Sequence, residues 1–281
     1  MQLGERIKTT ENADIHLFDQ TKVIKLFNKG ISEEIVDYEY KISLTAKQYG
    51  CTCPDIYERT EVEGRHGLVF ERIIGKTINY LLKKPFSSAR QMAMHTASAH
   101  AQINKVAFGS SGHPFDENSI VLKRQYDYFR SKILKIEVLS DEEKKSILDY
   151  LHRLPDALRL CHGNLHTSNF IVSKSKHYIV NWENAYIGHP ASDVARTVLM
   201  LQIPYDHEDI PGLLKPMFSM ILQSYAASYI KMYTSITEIE KRDIDAWMLP
   251  VAAARLSENR PHEREWLIAF IKDELHKQSY H

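Results

Sequence analysis

Hydrophobic positions follow two different periods along the chain. Up to about residue 70 the apolar side chains form short β-prone runs with one helical stretch, whereas most of the remainder repeats at helical spacing. The run from Lys22 to Phe27 predicts a strand with a lysine, Lys25, inside it. After it, Ser32 is suited to cap a helix that ends at Gly50 and carries Glu39 near its middle. The change of period predicts two lobes.

The boundary between the lobes is expected near Gly75. The stretch from Pro54 to Ile74 holds a turn between two β-prone runs, which is typical of a hairpin leading into a connector. Residues 1–74 are therefore assigned to a strand-rich N-lobe and residues 75–281 to a large, mainly helical C-lobe. Helices in the C-lobe are expected at 87–103, 141–154, 192–202 and 213–233, with two more within 239–278.

Composition excludes several classes of function. The 281 residues contain 36 Lys and Arg against 36 Asp and Glu, so no basic field draws the chain to nucleic acid or to a membrane surface. No apolar run reaches the roughly 20 residues that span a bilayer, and the N-terminus lacks a signal-peptide core. We expect a cytoplasmic protein whose three cysteines, Cys51, Cys53 and Cys161, are reduced and structural.

One segment carries most of the candidate chemistry. A polar loop from His162 to Asn169 precedes FIVSKSKHYIVNW, which predicts a hairpin, and a turn at Gly188 to Pro190 follows. Polar groups on a loop held by a rigid hairpin are a common way to display an active site. From the residues alone, an ordinary surface loop is an equally good interpretation.

The segment resembles that of small-molecule kinases of the aminoglycoside phosphotransferase and choline kinase family, whose pattern is H-G-D-x-H-x-x-N, a hairpin, I-D-W-E, then G-x-P-x-x-D-x-A. The matching positions are His162, Gly163, His166, Asn169, Trp182, Glu183, Gly188, Pro190 and Asp193. The resemblance extends to the strand with Lys25 and the helix with Glu39, and so covers most of the chain.

The resemblance implies an α+β, bilobal, protein-kinase-like fold with a small antiparallel sheet and one helix in the N-lobe. It also implies that ATP or another purine nucleotide binds between the lobes, with Lys25 at the phosphates, Glu39 as its partner and Glu71 as a further nucleotide-binding candidate. His162, His166 and the residue between them, Asn164, take the catalytic-loop positions. A structural ion pair remains the alternative interpretation of Lys25 and Glu39.

Two departures from the family pattern change the expected chemistry. Asn164 stands where the family has the aspartate that accepts the substrate proton, and Asn181 stands where it has the aspartate that holds Mg²⁺. An amide cannot accept the proton, and its oxygen brings no charge to a hard cation. Asn169, Asn181 and Glu183 remain as candidate metal ligands for weakened Mg²⁺ binding, Glu183 because alternation along a strand would place it on the same face as Asn181.

A third departure concerns the loop that covers the phosphates in the family. Residues 8–13 align with it and contain no glycine, so backbone N–H groups would approach phosphate less closely unless Thr9, Thr10 or Asn12 supplied contacts.

The sequence leaves three functional hypotheses open. The first is a pseudokinase that binds a nucleotide but transfers phosphate poorly or not at all. The second is an active ATP-dependent phosphotransferase to a small-molecule hydroxyl, with His166 or Glu183 as substitutes. The third is a scaffold without nucleotide. The further partner is either a small-molecule acceptor or a regulatory protein. The acidic run Asp206, Glu208 and Asp209 fits a polycationic acceptor and a solvated loop equally well.

Overall fold

The computed structural model describes residues 3–10, 12–84, 88–109, 122–174, 176–204, 210 and 212–278. These residues form two compact units. One, the strand-rich unit, takes the chain up to Tyr80 and returns for Thr167–Ala185; the other, the helical unit, takes most of the remaining described residues. The acidic run at 206–209 lies outside the described residues.

The strand-rich unit is built on an antiparallel sheet of five strands in the order β1-β2-β3-β5-β4. Its elements are β1 (Arg6–Thr9), β2 (Ala13–Leu17), β3 (Lys22–Phe27), helix α1 (Glu33–Gln48), β4 (Ile56–Val62) and β5 (Arg65–Glu71). The helix packs on one face of the sheet, where Val36 joins Phe27 and Leu68 in a buried apolar cluster. Because alternate residues of a strand share a face, Lys25 lies on the same face as Phe27.

A second, three-stranded sheet explains why a later part of the chain joins this unit. Strand β6 (Lys76–Thr77) pairs with β8 (Phe170–Ser173), and β8 pairs with β9 (Lys176–Ile179). The Ile179 N–H also donates to the carbonyl of Thr52 at 2.8 Å. The sequence assigned the whole of 162–193 to the C-lobe, whereas this pairing groups 167–185 with the N-terminal strands.

The helical unit contains eight helices within the described residues. They are α3 (Ala89–Lys105), α4 (Gln125–Ile133), α5 (Asp141–Arg153), α6 (Pro190–Gln202), α7 (Lys215–Ile236), α8 (Lys241–Ala246), α9 (Met248–Leu256) and α10 (Pro261–Gln278), after the short α2 (Ile78–Leu82). Two short strands, β7 (Arg159–Cys161) and β10 (Tyr186–Gly188), pair antiparallel. With these elements, the bilobal kinase-like α+β prediction is confirmed.

A ladder of buried polar pairs joins α3 to α7. The hydroxyls of Tyr225 and Tyr233 donate at 2.7 Å to Thr96 and Asn104, and that of Tyr229 lies 2.6 Å from Nδ1 of His100. We call these three pairs the tyrosine ladder. Each helix contributes every fourth residue, so one stripe of α3 meets one stripe of α7. All three tyrosines are fully buried, and each needs its partner because an unpaired buried hydroxyl is costly.

Most local predictions agree with the structure, and two differ. The strand at Lys22–Phe27, the helix after Ser32 and the hairpins at 56–71 and 170–179 form as predicted. The C-terminal stretch folds into three helices, α8 to α10, where two were predicted, because Trp247 and Ser257 interrupt it. The hairpin strand β9 ends at Ile179, before Asn181.

The three cysteines are free, as predicted, and all three are buried. Burial raises the pKa of Cys51 to about 12 and that of Cys53 to about 11, which keeps both thiols protonated. No helix among the described residues is both long and apolar enough to cross a bilayer.

Candidate functional site

A buried lysine with two carboxylates lies at the centre of the strand-rich unit. The Nζ of Lys25 donates to both carboxylate oxygens of Glu39, at 2.8 and 2.7 Å, and to Oε2 of Glu183 at 2.8 Å. Lys25 and Glu39 are buried, and the Glu183 side chain is 23% exposed. An ammonium has three N–H groups, so these contacts engage all three of them.

The charges in this cluster are unequal. Burial alone would neutralise Lys25, but the carboxylates of Glu39 and Glu183 outweigh that effect and raise its pKa, so it stays protonated. Burial, together with the nearby Glu183 carboxylate, raises the pKa of Glu39 to about 7 against the opposing pull of Lys25. One ammonium therefore faces two carboxylates that compete for it.

Glu183 reaches Lys25 because the chain turns sharply after the hairpin. Asn181 takes the left-handed conformation, with φ of 66°, and Trp182–Asn184 then form a single 3₁₀ turn. The prediction that Glu183 shares a strand face with Asn181 is therefore wrong, since neither residue is in a strand. Asparagine tolerates this conformation better than most residues with a side chain.

The residues present fit a divalent cation poorly. The Nδ2 group of Asn181 donates to Oδ1 of Asn169 at 2.6 Å. In such an amide pair one partner presents an N–H and the other its oxygen, so the two oxygens cannot both face one cation. Glu183 is the carboxylate closest in sequence to Asn181, and it forms an ion pair with Lys25. Among the described residues, no three His, Cys, Asp or Glu side chains come together as metal ligands.

The loop predicted to cover phosphates is a short turn between β1 and β2. The Thr10 hydroxyl donates to the carbonyl of Ala13 at 2.8 Å and accepts from its N–H at 3.2 Å, while the Thr10 N–H donates to the same carbonyl. The hydroxyl of Thr9 donates to Asp14. The chain thus uses the polar groups of Thr9 and Thr10 to close its own turn.

A cavity of about 580 Å³ opens beside the Lys25 cluster, and the described residues that line it all belong to the strand-rich unit. Ile15, Leu17, Val23 and Phe70 supply an apolar wall from the sheet, and Ile171 supplies one from β8. Lys25, Glu39 and Asn181 are among the polar residues that line it. A volume of this size suits a drug-sized or nucleotide-sized ligand with one apolar and one polar part.

The loop that begins at His162 is held by a buried aspartate of the helical unit. Asp193 accepts the N–H groups of His162 and Gly163 at 2.7 and 2.8 Å, and its Oδ2 also contacts His100 and Asn104. Burial would raise the pKa of Asp193, but the charge and hydrogen bond of His100 together with the backbone donors lower it. This carboxylate is a structural anchor for the loop.

Asn164 has a basic neighbour that the sequence did not reveal. The Nη2 group of Arg196 donates to Oδ1 of Asn164 at 3.1 Å and to both carboxylate oxygens of Glu258 at 3.0 Å. Glu258 is also paired with Arg255 and Lys132. The side-chain oxygen of Asn164 is thus directed to a guanidinium.

The remaining predicted residues have simpler surroundings. The His166 N–H donates to the carbonyl of Asn164 at 3.0 Å, which makes a tight turn in the loop. Glu71 lines the cavity, and its Oε2 accepts the Asp55 N–H at 3.2 Å.

The structure thus gathers Lys25, Glu39 and Glu183 into one cluster and joins Asn169 to Asn181. Two residues that the sequence did not single out, Lys8 on the cavity wall and Arg196 beside Asn164, belong to these surroundings. Lys8 depends on the register between strands and Arg196 on a tertiary contact, and no local pattern in the sequence predicts either.

The two units, the lysine paired with a helix glutamate and the loop anchored by an aspartate define a small-molecule kinase-like protein. The model of the phosphotransferase enzyme family (APH) matches residues 10–219, and the chain belongs to this family. No curated protein matches the chain.

Solved structures with the same fold are distant in sequence. A thermostable mutant of aminoglycoside phosphotransferase APH(4)-Ia, in a ternary complex with AMP-PNP and hygromycin B, has a TM-score of 0.65 at 13% identity, over 98% of this chain and 93% of that one. Amicoumacin kinase hAmiN in complex with AMP-PNP, Ca²⁺ and Ami has a TM-score of 0.61 at 14% identity, over 96% of this chain and 87% of that one. APH(2'')-IIa with streptomycin and ATP has a TM-score of 0.57 at 14% identity, over 99% and 91%.

Proposed function

We propose that this protein binds a purine nucleotide in the cavity of the strand-rich unit and transfers phosphoryl groups poorly or not at all. The observation that carries the proposal is the buried Lys25–Glu39 pair in the lining of a cavity of about 580 Å³. The apolar wall suits a purine, and Lys25 suits the phosphates. Three structures of the same fold hold ATP or AMP-PNP, which supports the choice of ligand.

The loss of transfer follows from two amides. Asn164 has no basic atom to accept a hydroxyl proton, and its oxygen already accepts a hydrogen bond from Arg196. Asn181 brings no charge and bonds to Asn169. Positioning and electrostatics dominate phosphoryl transfer, so both changes remove part of what lowers the barrier.

Nucleotide binding is tested by thermal shift with ATP, ADP and adenosine, each with and without Mg²⁺. A ligand at a hundredfold excess over its Kd stabilises the fold by about 2.7 kcal/mol, an easily measured rise in Tm. We expect a rise with ATP and ADP that is smaller in Lys25→Met. Should millimolar nucleotide leave the Tm of the wild type unchanged in every condition, the scaffold hypothesis replaces this one.

Catalysis is tested separately by ATP hydrolysis over many hours. We expect no turnover above background in the wild type and measurable turnover in Asn164→Asp/Asn181→Asp, since general base catalysis alone contributes roughly 10²- to 10⁴-fold. Wild-type turnover that disappears in His166→Ala would instead make the protein an active phosphotransferase with a displaced base.

A further inference from the structure

We propose that the ammonium of Lys8 takes the place of a divalent cation in this cavity, so that the site binds a nucleoside polyphosphate without a metal ion. This inference rests on the nucleotide binding proposed above and specifies its charge chemistry.

Strand register places Lys8 over the cavity. Lys8 pairs with Ile15 of β2, and Ile15 pairs with Lys25 of β3, so the three residues form one row across three adjacent strands. Directly paired residues of an antiparallel sheet point to the same face, and neighbouring strands lie about 4.8 Å apart. The two lysines therefore stand on one face, about 10 Å apart at the backbone, and all three side chains line the cavity.

The ammonium of Lys8 has no hydrogen bond or ion pair within the part of the chain that the structure describes. Lys25, by contrast, is held by two carboxylates. The Lys8 side chain is exposed, like the rest of β1, and partial desolvation, followed by the positive charge of Lys25, lowers its pKa. A cation with a like-charged neighbour and no anionic partner gains from any anion that enters between the two lysines.

Two sets of polar groups that the family resemblance linked to phosphate or metal are engaged within the chain. Thr10 closes its own turn with Ala13, so the β1–β2 loop directs these polar groups inward to its own chain. Asn169 and Asn181 bond to each other. What the cavity offers instead is side-chain charge: among the residues that the structure describes, five basic ones line it against three acidic ones. The basic residues are Arg6, Lys8, Lys25, Arg72 and Lys76, and the acidic ones are Glu5, Glu39 and Glu71.

A lysine is chemically able to do this work. An ammonium binds phosphate as a compact charge with three N–H donors. A bound Mg²⁺ requires carboxylates or phosphate oxygens in near-octahedral geometry, and an amide pair supplies neither charge nor two free oxygens. Replacing the cation by Lys8 conserves a positive charge at the phosphates while removing the need for those ligands.

The experiment measures ATP, ADP and adenosine affinity by calorimetry in EDTA and in Mg²⁺, for the wild type, Lys8→Met and Lys29→Met. Lys29 is an exposed lysine of the turn after β3 that does not line the cavity, which makes it the matched control. In EDTA the wild type should bind ATP at least as tightly as in Mg²⁺. Lys8→Met should lower the affinity for ATP by about 10- to 100-fold, the effect of losing one hydrogen bond to a charged group. The affinity for adenosine should not change.

The outcomes separate this inference from the proposal it rests on. Nucleotide binding that requires Mg²⁺, or that Lys8→Met weakens no more than Lys29→Met does, overturns the role of Lys8 and leaves nucleotide binding intact. Absence of binding by ATP, ADP and adenosine in both buffers overturns the proposed function itself, and the inference with it. Adenosine affinity that falls together with ATP affinity in Lys8→Met also contradicts the inference, because adenosine has no phosphate for Lys8 to contact.

Discussion

The two units each bury a carboxylate, but the groups that neutralise and hydrogen-bond the two carboxylates differ. In the helical unit, Asp193 receives backbone N–H groups from His162 and Gly163 and side-chain contacts from His100 and Asn104, so the chain itself completes its surroundings. In the strand-rich unit, Glu39 shares one ammonium with a second carboxylate, beside a cavity. The cluster around Asp193 therefore stabilises the fold. The cluster around Lys25 has two carboxylates for one ammonium, and a charged ligand in the cavity would change that ratio.

The largest expected effect breaks the completed cluster. Asp193→Ala leaves the N–H groups of His162 and Gly163 and the side chain of His100 buried without their acceptor. Breaking a buried charged pair in this way costs about 3–5 kcal/mol. Chemical denaturation should show this loss in the free energy of unfolding, and a loss below about 1 kcal/mol, the net value of one ordinary hydrogen bond, would contradict the role of Asp193 as an anchor.

The dependence of stability on pH should distinguish the two carboxylates. Glu39 has a folded pKa of about 7, above its ordinary value of 4.5, so between these values the folded state binds more protons and its stability falls as pH rises. Asp193 has a depressed pKa, so its contribution is present above pH 4 or so and is lost as pH falls further.

This second prediction is checked by the free energy of unfolding from pH 3 to 8 in the wild type, Glu39→Gln and Asp193→Asn. The Glu39→Gln change should remove a decline of up to about 1.4 kcal/mol per pH unit between pH 4.5 and 7, and Asp193→Asn should flatten only the acid side. Equal slopes in the wild type and Glu39→Gln across the upper range would argue against the raised pKa.

A third prediction concerns the charge beside Lys25 in the cavity. Glu183→Gln removes the second carboxylate from Lys25, so phosphate no longer competes with a charged group for the third N–H. Without Mg²⁺, ATP affinity should rise by about tenfold, roughly the value of one hydrogen bond to a charged group. Glu183→Asp, which keeps the charge, is the control.

The opposite result is equally informative. If Glu183 binds a metal ion, as the sequence allows, Glu183→Gln should lower ATP affinity in Mg²⁺ and abolish a steep dependence on its concentration. Calorimetry across a Mg²⁺ titration distinguishes these cases.

The remaining predictions concern the stability of the tyrosine ladder. Tyr233→Phe leaves Oδ1 of Asn104 buried without its donor and should cost about 1–3 kcal/mol. Tyr225→Phe should cost less, because the Thr96 hydroxyl also donates to the carbonyl of Met92 at 3.0 Å. Thermal unfolding of the two variants tests the order, and an equal loss in both would contradict it.

Local features of this chain could be predicted, and features that join distant segments could not. The strand at Lys22–Phe27 and helix α1 follow from the spacing of apolar residues and from turn residues nearby. Family resemblance paired Lys25 with Glu39, and the bond between them is present. The bond from Lys25 to Glu183 could not be predicted because it depends on the left-handed turn at Asn181. Strand alternation was assumed to continue as far as Glu183, and this turn ends it.

In the candidate site, too, local features could be predicted and contacts between distant segments could not. Substitution of amides at 164 and 181 is plain in the sequence, but their partners are not: Arg196 is 32 residues beyond Asn164 and reaches it only through the fold. Lys8 belongs to the glycine-free segment 8–13, and nothing in that segment alone sets it apart from the residues around it. The register of β1 against β2 and β3, which no single strand encodes, is what aligns Lys8 with Lys25.

The tyrosine ladder also restricts how the length of this chain can vary. Its pairs recur every fourth residue on both helices, and a helix turns by about 100° per residue. One residue inserted into α3 or α7 between two rungs would rotate the following partners away from each other. Insertions are therefore expected to be tolerated in the connections outside these helices. Between Thr96 and Asn104, or between Tyr225 and Tyr233, a one-residue insertion should be strongly destabilising, because the pairing of the two helices requires the same four-residue spacing on both.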